Sequence, residues 1–220
     1  MQIGFLLFPD VTQLDFTGPL QVLHRLPGGV THIAAKTRDP VPSDCGLSLV
    51  PTTTFAECPL LDVLCVPGGF GVDAAMADAE TMAFVRRMGG RARYVTSVCT
   101  GAFILGAAGL LRGKRATTHW AYHDLLPLVG AIPERARVVR DGDTFTGGGV
   151  TAGIDFALTL AGEIAGDAVA QSIQLAIEYD PAPPFDAGDP DRAPEAVRTP
   201  IAKRYGARHE AFKAALAAAK

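Results

Sequence analysis

Residues 93–106 have the sequence RYVTSVCTGAFILG, and this stretch decides the fold. Its β-branched first half predicts a strand at 92–98, and the Ala, Gly and Leu residues that follow predict a helix at 100–110. Cys99 lies at the junction. A sharp strand-to-helix turn lifts one side chain above the end of a sheet, as in a nucleophile elbow, here with cysteine in place of serine. Because a helix N-terminus favours negative charge, the pattern predicts a reactive Cys99 thiol.

The rest of the chain alternates short apolar runs with helical patterns. Strands are predicted at 2–8, 30–35, 61–66 and 115–118, with a hairpin at 138–146. Helices are predicted at 15–26, 73–89, 120–128, 151–165 and 167–178. This order predicts an α/β fold with a mostly parallel sheet and helices on both faces. Ligands bind beyond the carboxyl ends of such strands, and Asp15, Gly68 and Cys99 all follow predicted strands.

Composition excludes several kinds of partner. The chain has 220 residues and a net charge of −3 with no long basic run, which argues against nucleic acid. No apolar stretch is long enough to span a bilayer and no signal peptide precedes Ile3, so no membrane partner is expected. The four cysteines, at 45, 58, 65 and 99, match no zinc or redox spacing. They are expected to be free thiols in the cytoplasm.

The tail differs from the rest in composition. Residues 1–178 form the predicted α/β domain, and residues 179–194 are rich in Pro and Asp, which excludes a helix or a central strand. An Ala- and Lys-rich helix is predicted at about 195–219. Residues 179–194, called the arm below, include Tyr179 and Phe185, which should be buried on the domain or on a second subunit. We therefore expect a homodimer, with the tail packing on the domain or on its partner.

Three short motifs are candidates for a site around the thiol. Asp15 could manage the proton of Cys99, or it could cap the N-terminus of a helix. Thr100 could contact substrate or cap the helix that follows it. The amides of Gly68 and Gly69 could donate hydrogen bonds, or the two residues could simply form a tight turn.

Histidine and glycine motifs leave further alternatives. His119 is either the partner of a Cys–His pair or a satisfied, partly buried histidine. It lies four residues before His123, but no glutamate follows it as in a H-E-x-x-H motif, so no metal site is expected. The run Gly147–Gly149 lacks the residues of a phosphate-binding loop. It is expected to let the backbone approach the elbow closely.

The motifs together resemble the PfpI/ThiJ-type superfamily of the class I glutamine-amidotransferase-like fold. The similar segments are Leu14–Pro19, Val66–Gly69, Ser97–Gly101, Ala116–Trp120 and Val150–Asp155. The resemblance covers roughly residues 2–178 and implies a flavodoxin-like three-layer sandwich. Within the superfamily, the chain is most similar to the bacterial isonitrile hydratases. That similarity rests on the Cys-Thr dipeptide, on aspartate at the acidic position, and on the tail sequence 179–188.

The resemblance implies the hydration of a small-molecule isonitrile to an N-substituted formamide, without metal or organic cofactor. Cys99 would attack the terminal carbon to form a thioimidate, and Asp15 would manage the proton. Thr100 would hydrogen-bond substrate or water. Amides near Gly69 and Phe70 would line the site, with Gly68 and His119 as further substrate-binding candidates.

Two departures from other members of the superfamily narrow the function. Peptidases of the superfamily place histidine after the nucleophile, where this chain has Thr100, and many members carry glutamate where it has Asp15. Regulators with the same motifs append a helix-turn-helix domain, for which the tail is too short. The alternatives are another cysteine-dependent hydrolase, a glyoxalase-like enzyme, or a redox-sensing or chaperone-like protein.

Overall fold

A computed structural model describes residues 1–218 of the chain. The strands are β1 Gln2–Leu6, β2 Val30–Ala35, β3 Val41–Pro42, β4 Ser48–Leu49, β5 Thr53–Thr54, β6 Val63–Val66, β7 Tyr94–Val98, β8 Arg115–Ala116, β9 Ile132–Pro133, β10 Val138–Asp141 and β11 Thr144–Gly147. The α-helices are α1 Gln13–Leu23, α2 Val72–Ala77, α3 Ala79–Gly89, α4 Gly101–Ala107, α5 Ala152–Ala165, α6 Asp167–Ala176 and α7 Glu195–Ala218. A 3-10 helix spans Trp120–Val129.

Seven strands form the central sheet, in the order β10-β11-β7-β6-β1-β2-β5. Every neighbouring pair is parallel except the β10–β11 hairpin. Helices α1, α5 and α6 pack on one another, and α2, α3, α4, the 3-10 helix and α7 form a second group. This arrangement confirms the predicted flavodoxin-like three-layer sandwich. Strands β6 and β7 are neighbours near the middle of the sheet, so the loops that follow them meet at one edge.

The core is filled by large apolar side chains from the sheet and from both groups of helices. Phe5, Phe16, Phe103, Phe145 and Phe156 are all fully buried. Phe5 on β1 meets Phe16 on α1 edge to face, with ring centroids 5.6 Å apart. Helix α1 is therefore fixed against the first strand, which sets the position of the loop that joins them.

One predicted helix is wrong in its extent. The structure has two helices, α2 and α3, where the sequence predicted one at 73–89. Asp78 separates them because its backbone is extended, and its carboxylate accepts a hydrogen bond from the Thr81 N–H at 2.9 Å. An N-cap aspartate thus ends one helix and begins the next.

Other bounds differ more modestly. The helix predicted at 120–128 is a 3-10 helix that contains Pro127, which has no N–H to donate. It ends at Val129 and is capped by Gly130, whose φ is 77°. The strand predicted at 115–118 is reduced to Arg115–Ala116. The predicted last residue of the C-terminal helix, 219, lies outside the described residues. No helix within residues 1–218 is both long enough and apolar enough to cross a membrane.

The tail packs on the α/β unit at both ends of the arm. The Tyr179 hydroxyl donates to the Asp155 carboxylate at 3.1 Å. Residues 180–194 contain no helix or strand, and Phe185 is 80% exposed. Helix α7 then returns to the domain and buries Phe212 and Leu216. In this single chain, the predicted burial of Phe185 is therefore not seen.

The start of α4 approaches the end of β6 backbone to backbone. A Cβ atom on Gly101 would lie 2.7 Å from the Pro67 carbonyl oxygen and closer still to that of Val66. Backbone atoms cannot rotate away as a flexible side chain can. Only glycine therefore allows α4 to begin where it does.

Replacing this glycine should destabilise the fold. We expect Gly101→Ala to lower the free energy of unfolding by about 2–3 kcal/mol, since overpacking against backbone forces a shift of the chain. Denaturant titration followed by circular dichroism measures the change. The matched control is Gly206→Ala in α7, where no atom lies within 4 Å of the added Cβ and the change should be neutral or slightly stabilising. Equal stability of Gly101→Ala and the unmodified chain would contradict the close approach.

Candidate active site

Cys99 stands at the turn between β7 and α4 and has a left-handed backbone, with φ 55°. Its N–H donates to the carbonyl oxygens of Gly147 and Gly148, at 3.1 and 2.8 Å. The Thr118 hydroxyl donates to its carbonyl oxygen at 2.7 Å. The backbone of Gly147–Gly149 therefore approaches the elbow closely, as predicted. Both the N–H and the carbonyl oxygen of Cys99 are hydrogen-bonded.

Asp15 does not cap a helix. Helix α1 begins at Gln13 and its cap position is Thr12, so Asp15 lies inside the first turn. Its side chain is buried, and its Oδ2 atom accepts a hydrogen bond from the Gly68 N–H at 3.0 Å. Its Oδ1 atom has no nitrogen or oxygen partner within residues 1–218, and the carboxyl group faces the Cys99 thiol. The structure thus brings together the acid and the thiol that the sequence singled out.

Burial makes both members of this pair weak acids. Loss of water raises the pKa of Asp15 from 3.8 to about 7, against the opposing effect of its hydrogen bonds from Gly68 and Cys99. Burial, together with the negative charge of Asp15, raises the pKa of Cys99 well above 9.0. Near neutral pH the Cys99 thiol is therefore protonated, and Asp15 is the group of the pair that gains or loses a proton. The reactivity predicted for Cys99 stays a prediction, and burial opposes the ionisation of the thiol that the N-terminus of the seven-residue α4 helix favours.

Thr100, Gly68 and Gly69 form the hydrogen bonds around this pair of side chains. The Thr100 hydroxyl caps no helical N–H but accepts a hydrogen bond from the Gly69 amide at 3.1 Å. The Thr100 hydroxyl donates to the Gly69 carbonyl oxygen at 3.5 Å. The amide and the hydroxyl of Thr100 both act to lower the pKa of the neighbouring Cys99 thiol, against the larger effect of burial. The amides of Gly68 and Gly69 are therefore directed at Asp15 and Thr100. They position the two side chains and do not point at a substrate.

His119 lies in the same pocket as Cys99 but is bonded elsewhere. Its Nδ1 atom accepts from the Ala121 N–H at 3.3 Å, which makes it the cap of the 3-10 helix. Burial lowers its pKa to about 4, so the ring is neutral and its proton sits on Nε2. These contacts are those of the satisfied histidine that the sequence left as an alternative. Its ring forms part of the pocket wall.

A cavity of about 240 Å³ opens above Cys99 and Thr100. Gly69 and Phe70 line it as expected, and so does His119. Seven further lining residues were not predicted from the sequence, namely Thr12, Asp44, Tyr122, Val150, Tyr205, Arg208 and Phe212. Three of these lie on α7 at spacings of three and four, so they share one helix face; that spacing was the available signal. Within residues 1–218, no three His, Cys, Asp or Glu side chains cluster so as to hold a metal ion.

Comparisons with known proteins agree with this geometry. The chain is 64% identical over 204 residues to isonitrile hydratase from Pseudomonas putida, an alignment that covers 93% of this chain and 90% of the relative. It superposes on the crystal structure of a ThiJ/PfpI family protein from Pseudomonas syringae with a TM-score of 0.96 and 48% identity, covering 98% of this chain and 90% of that one. The HTH-type transcriptional regulator GbdR of Pseudomonas aeruginosa is 29% identical over 81% of this chain but only 50% of its own length.

A family model for the DJ-1/PfpI family matches residues 1–163. That range contains Asp15, Gly68, Cys99 and Thr100, the residues that form the buried acid–thiol pair and its support. It ends within α5, ahead of the arm and of α7. On this match and on the similarity to the Pseudomonas relatives, the chain belongs to the DJ-1/PfpI family.

Proposed function

We propose that the protein hydrates isonitriles to N-substituted formamides, with Cys99 as the nucleophile. The observation that carries this proposal is the 64% identity to isonitrile hydratase over 93% of the chain. The buried pair of a carboxyl group and a thiol is suited to the reaction, because an isonitrile carbon needs both a nucleophile and a proton. The same identity does not favour a glyoxalase-like, redox-sensing or chaperone-like role.

In the first step, the Cys99 sulfur bonds to the terminal carbon of R–NC. The thiol proton passes to the Asp15 carboxylate and from there to that same carbon, giving the thioimidate R–N=CH–S–Cys99. A thiol that keeps its proton until Asp15 removes it is suited to this order of events. Thr100 stabilises the sulfur while it carries negative charge, through its amide and its hydroxyl.

In the second step, water adds to the thioimidate carbon. One proton of the water goes to nitrogen, which gives R–NH–CH(OH)–S–Cys99. Breakage of the carbon–sulfur bond then leaves the formamide R–NH–CHO, and the hydroxyl proton returns to the sulfur by way of Asp15. In this scheme the substrate lies against Phe70, Gly69 and the neutral His119, which line the cavity, and no metal or organic cofactor takes part.

The protein is further proposed to be a cytoplasmic homodimer. Its cysteines are all free, three of them buried, which suits a reducing compartment. Leu175 on α6 is 83% exposed and Phe185 in the arm is 80% exposed, although both are large and apolar. A second copy that covered these side chains would remove them from water. The arm and α6 are therefore the proposed contact surface.

Removing the nucleophile tests the chemistry directly. We expect Cys99→Ala to lose formamide production by about 10³-fold or more while its melting temperature stays close to that of the unmodified protein. Formamide is measured by chromatography with an alkyl isonitrile as substrate. Cys45→Ala, at an exposed thiol, is the control and should keep full activity. Mass spectrometry should find a trapped adduct on Cys99 alone, and turnover in Cys99→Ala would contradict the covalent route.

The role of Asp15 predicts a pH dependence of the rate. Because the carboxylate must be ionised to take the thiol proton, kcat/KM should rise with pH through an apparent pKa near 7. Asp15→Asn should lose about 10²–10⁴-fold in kcat and also lose this rise. Rates measured from pH 5 to 9 give both results. If kcat/KM of Asp15→Asn still rose with pH through a pKa near 7, the group that titrates would be a residue other than Asp15.

The same carboxyl group should make stability depend on pH. Its pKa in the folded state, about 7, exceeds its unfolded value of 3.8, so the folded protein binds the proton more tightly. This stabilisation is complete below pH 3.8 and is lost as pH rises through 7. The melting temperature of Asp15→Asn minus that of the unmodified protein should therefore increase from pH 5 to pH 8. Between pH 5 and the folded pKa of about 7 this shift corresponds to about 3 kcal/mol at 1.36 kcal/mol per unit. A difference that stayed constant with pH would refute it.

Oligomeric state can be tested with surface variants that leave the pocket intact. Light scattering should give a dimer for the unmodified chain and a monomer for the double variant Leu175→Glu, Phe185→Glu. Val50→Glu replaces an apolar residue that is 63% exposed outside the arm and α6, and it should remain dimeric. A monomeric unmodified chain would rule out the dimer, and a dimeric double variant would rule out this surface.

A further inference from the structure

The second step of the proposed reaction requires a proton donor for the substrate nitrogen. Water adds to the thioimidate carbon, and the nitrogen bonded to that carbon takes up a proton. Asp15 faces the Cys99 thiol and is the proposed carrier of the proton that moves to and from the sulfur. The nitrogen lies one bond further from the sulfur than the carbon does. A group on another wall of the cavity is therefore better placed to donate to it.

Most side-chain donors that line the cavity are already engaged or are not acids. The Thr12 hydroxyl donates to the Asp44 carboxylate at 2.6 Å, and the Thr100 hydroxyl donates to a backbone carbonyl oxygen at 3.5 Å. Arg208 keeps its charge at all ordinary pH values, so it cannot act as an acid. Apart from the Cys99 thiol, the side-chain donors that remain in the part of the lining formed by residues 1–218 are those of His119, Tyr122 and Tyr205.

Acid strength separates the imidazole ring from the two phenols. Burial lowers the pKa of His119 to about 4, so the proton that this ring could give near neutral pH is that of a neutral imidazole. A neutral imidazole is a far weaker acid than a phenol, whose ordinary pKa is about 10. Burial raises the pKa of both Tyr122 and Tyr205. Both hydroxyls therefore carry a proton at the pH at which the reaction is expected to run.

Neighbouring positive charge then separates Tyr122 from Tyr205. A phenol that gives up its proton becomes an anion, and a buried anion needs a cation beside it. Arg208 acts to lower the pKa of Tyr122, and its guanidinium is held in the wall 4.5 Å above the centroid of the Phe70 ring. The cation that acts on Tyr205 is Arg204, which is exposed, so water and salt screen its charge. A phenolate is therefore better stabilised at Tyr122.

Packing fixes the Tyr122 side chain within the wall of the cavity. Tyr122 is only 4% exposed, and its ring packs edge to face on that of Phe212, with centroids 5.4 Å apart. The His209 ring lies parallel to it, with centroids 6.1 Å apart. A negative charge on Cys99 acts to raise the pKa of Tyr122, as expected for a hydroxyl near the same sulfur. This hydroxyl donates no hydrogen bond within residues 1–218, so its proton is free for a bound substrate.

We propose that Tyr122 is the acid that protonates the substrate nitrogen when water adds to the thioimidate, and that Arg208 stabilises the phenolate. This inference rests on the proposed function for the reaction itself. As the water oxygen bonds to the thioimidate carbon, the second electron pair of the C=N bond takes the proton from the Tyr122 hydroxyl. The phenolate then takes one proton from the added water. The step gives R–NH–CH(OH)–S–Cys99, and Tyr122 is neutral again.

Removing the hydroxyl should slow the second step and leave the first unchanged. In Tyr122→Phe, the thioimidate on Cys99 should form as fast as in the unmodified enzyme, but its hydrolysis should slow by about 10²–10⁴-fold. The adduct should therefore accumulate. Rapid quenching followed by mass spectrometry of the intact protein, with n-butyl isonitrile as substrate, measures both rates, because the adduct adds the mass of one isonitrile. Tyr205→Phe, which removes the other phenol hydroxyl of the cavity, should slow hydrolysis far less.

A double-mutant comparison tests the part assigned to Arg208. If Arg208 acts through the phenolate, Arg208→Gln should slow thioimidate hydrolysis in the unmodified background and cause no further slowing in Tyr122→Phe. Slowing by the same factor in both backgrounds would overturn the role of Arg208.

The outcomes also separate this inference from the proposed function. If the unmodified protein forms neither adduct nor formamide, the proposed function fails. If formamide is produced but Tyr122→Phe accumulates no thioimidate, or Tyr205→Phe accumulates as much, the assignment of the acid to Tyr122 is overturned.

Discussion

The left-handed backbone at Cys99 is the constraint on which the site depends. A residue with a side chain pays about 1–3 kcal/mol to adopt such a conformation, so the surroundings must hold it there. They do so from two sides: the carbonyl oxygens of Gly147 and Gly148 accept from its N–H, and the Thr118 hydroxyl binds its carbonyl oxygen. Since Gly101 has no side chain, α4 can begin directly beneath β6. The backbone of Cys99 is consequently held in one place relative to Asp15, so proton transfer between the two side chains needs no rearrangement of the backbone.

Burial then decides how the acid and the thiol behave. In water, aspartate would be ionised and cysteine largely protonated at neutral pH, and the two would interact little. In the closed pocket the ionised forms are penalised, so a charge on Asp15 makes ionisation of Cys99 harder still. A protonated thiol is a poor target for oxidants, because the thiolate is the form that reacts. Burial therefore favours the protonated form of the proposed nucleophile until a base removes its proton.

The sequence predicts the parts of this site that depend on local pattern. The elbow, the parallel strands around it and the closeness of Asp15 to Cys99 all follow from strands that end at one edge of the sheet. What it could not predict depends on the fold around each residue. The Gly68 amide donates to Asp15, which lies inside the first turn of α1 and not at its cap, and burial raises the pKa of Cys99. Asp78 separates α2 from α3 because its carboxylate accepts a hydrogen bond from the Thr81 N–H. The spacing of apolar residues does not reveal this contact, because it continues across both helices.

The position of α7 in the chain also orders the events of synthesis. The contact between Arg208 and Phe70 joins residues 138 positions apart, whereas Cys99 and its partners all come from the first three-quarters of the chain. Chains emerge from the ribosome at roughly 5–20 residues per second and domains fold as units. Every residue that forms the acid–thiol pair and its hydrogen bonds is therefore synthesised before the first residue of α7. Until α7 has been made and packs on the domain, the cavity above Cys99 lacks the part of its lining that Tyr205, Arg208 and Phe212 provide.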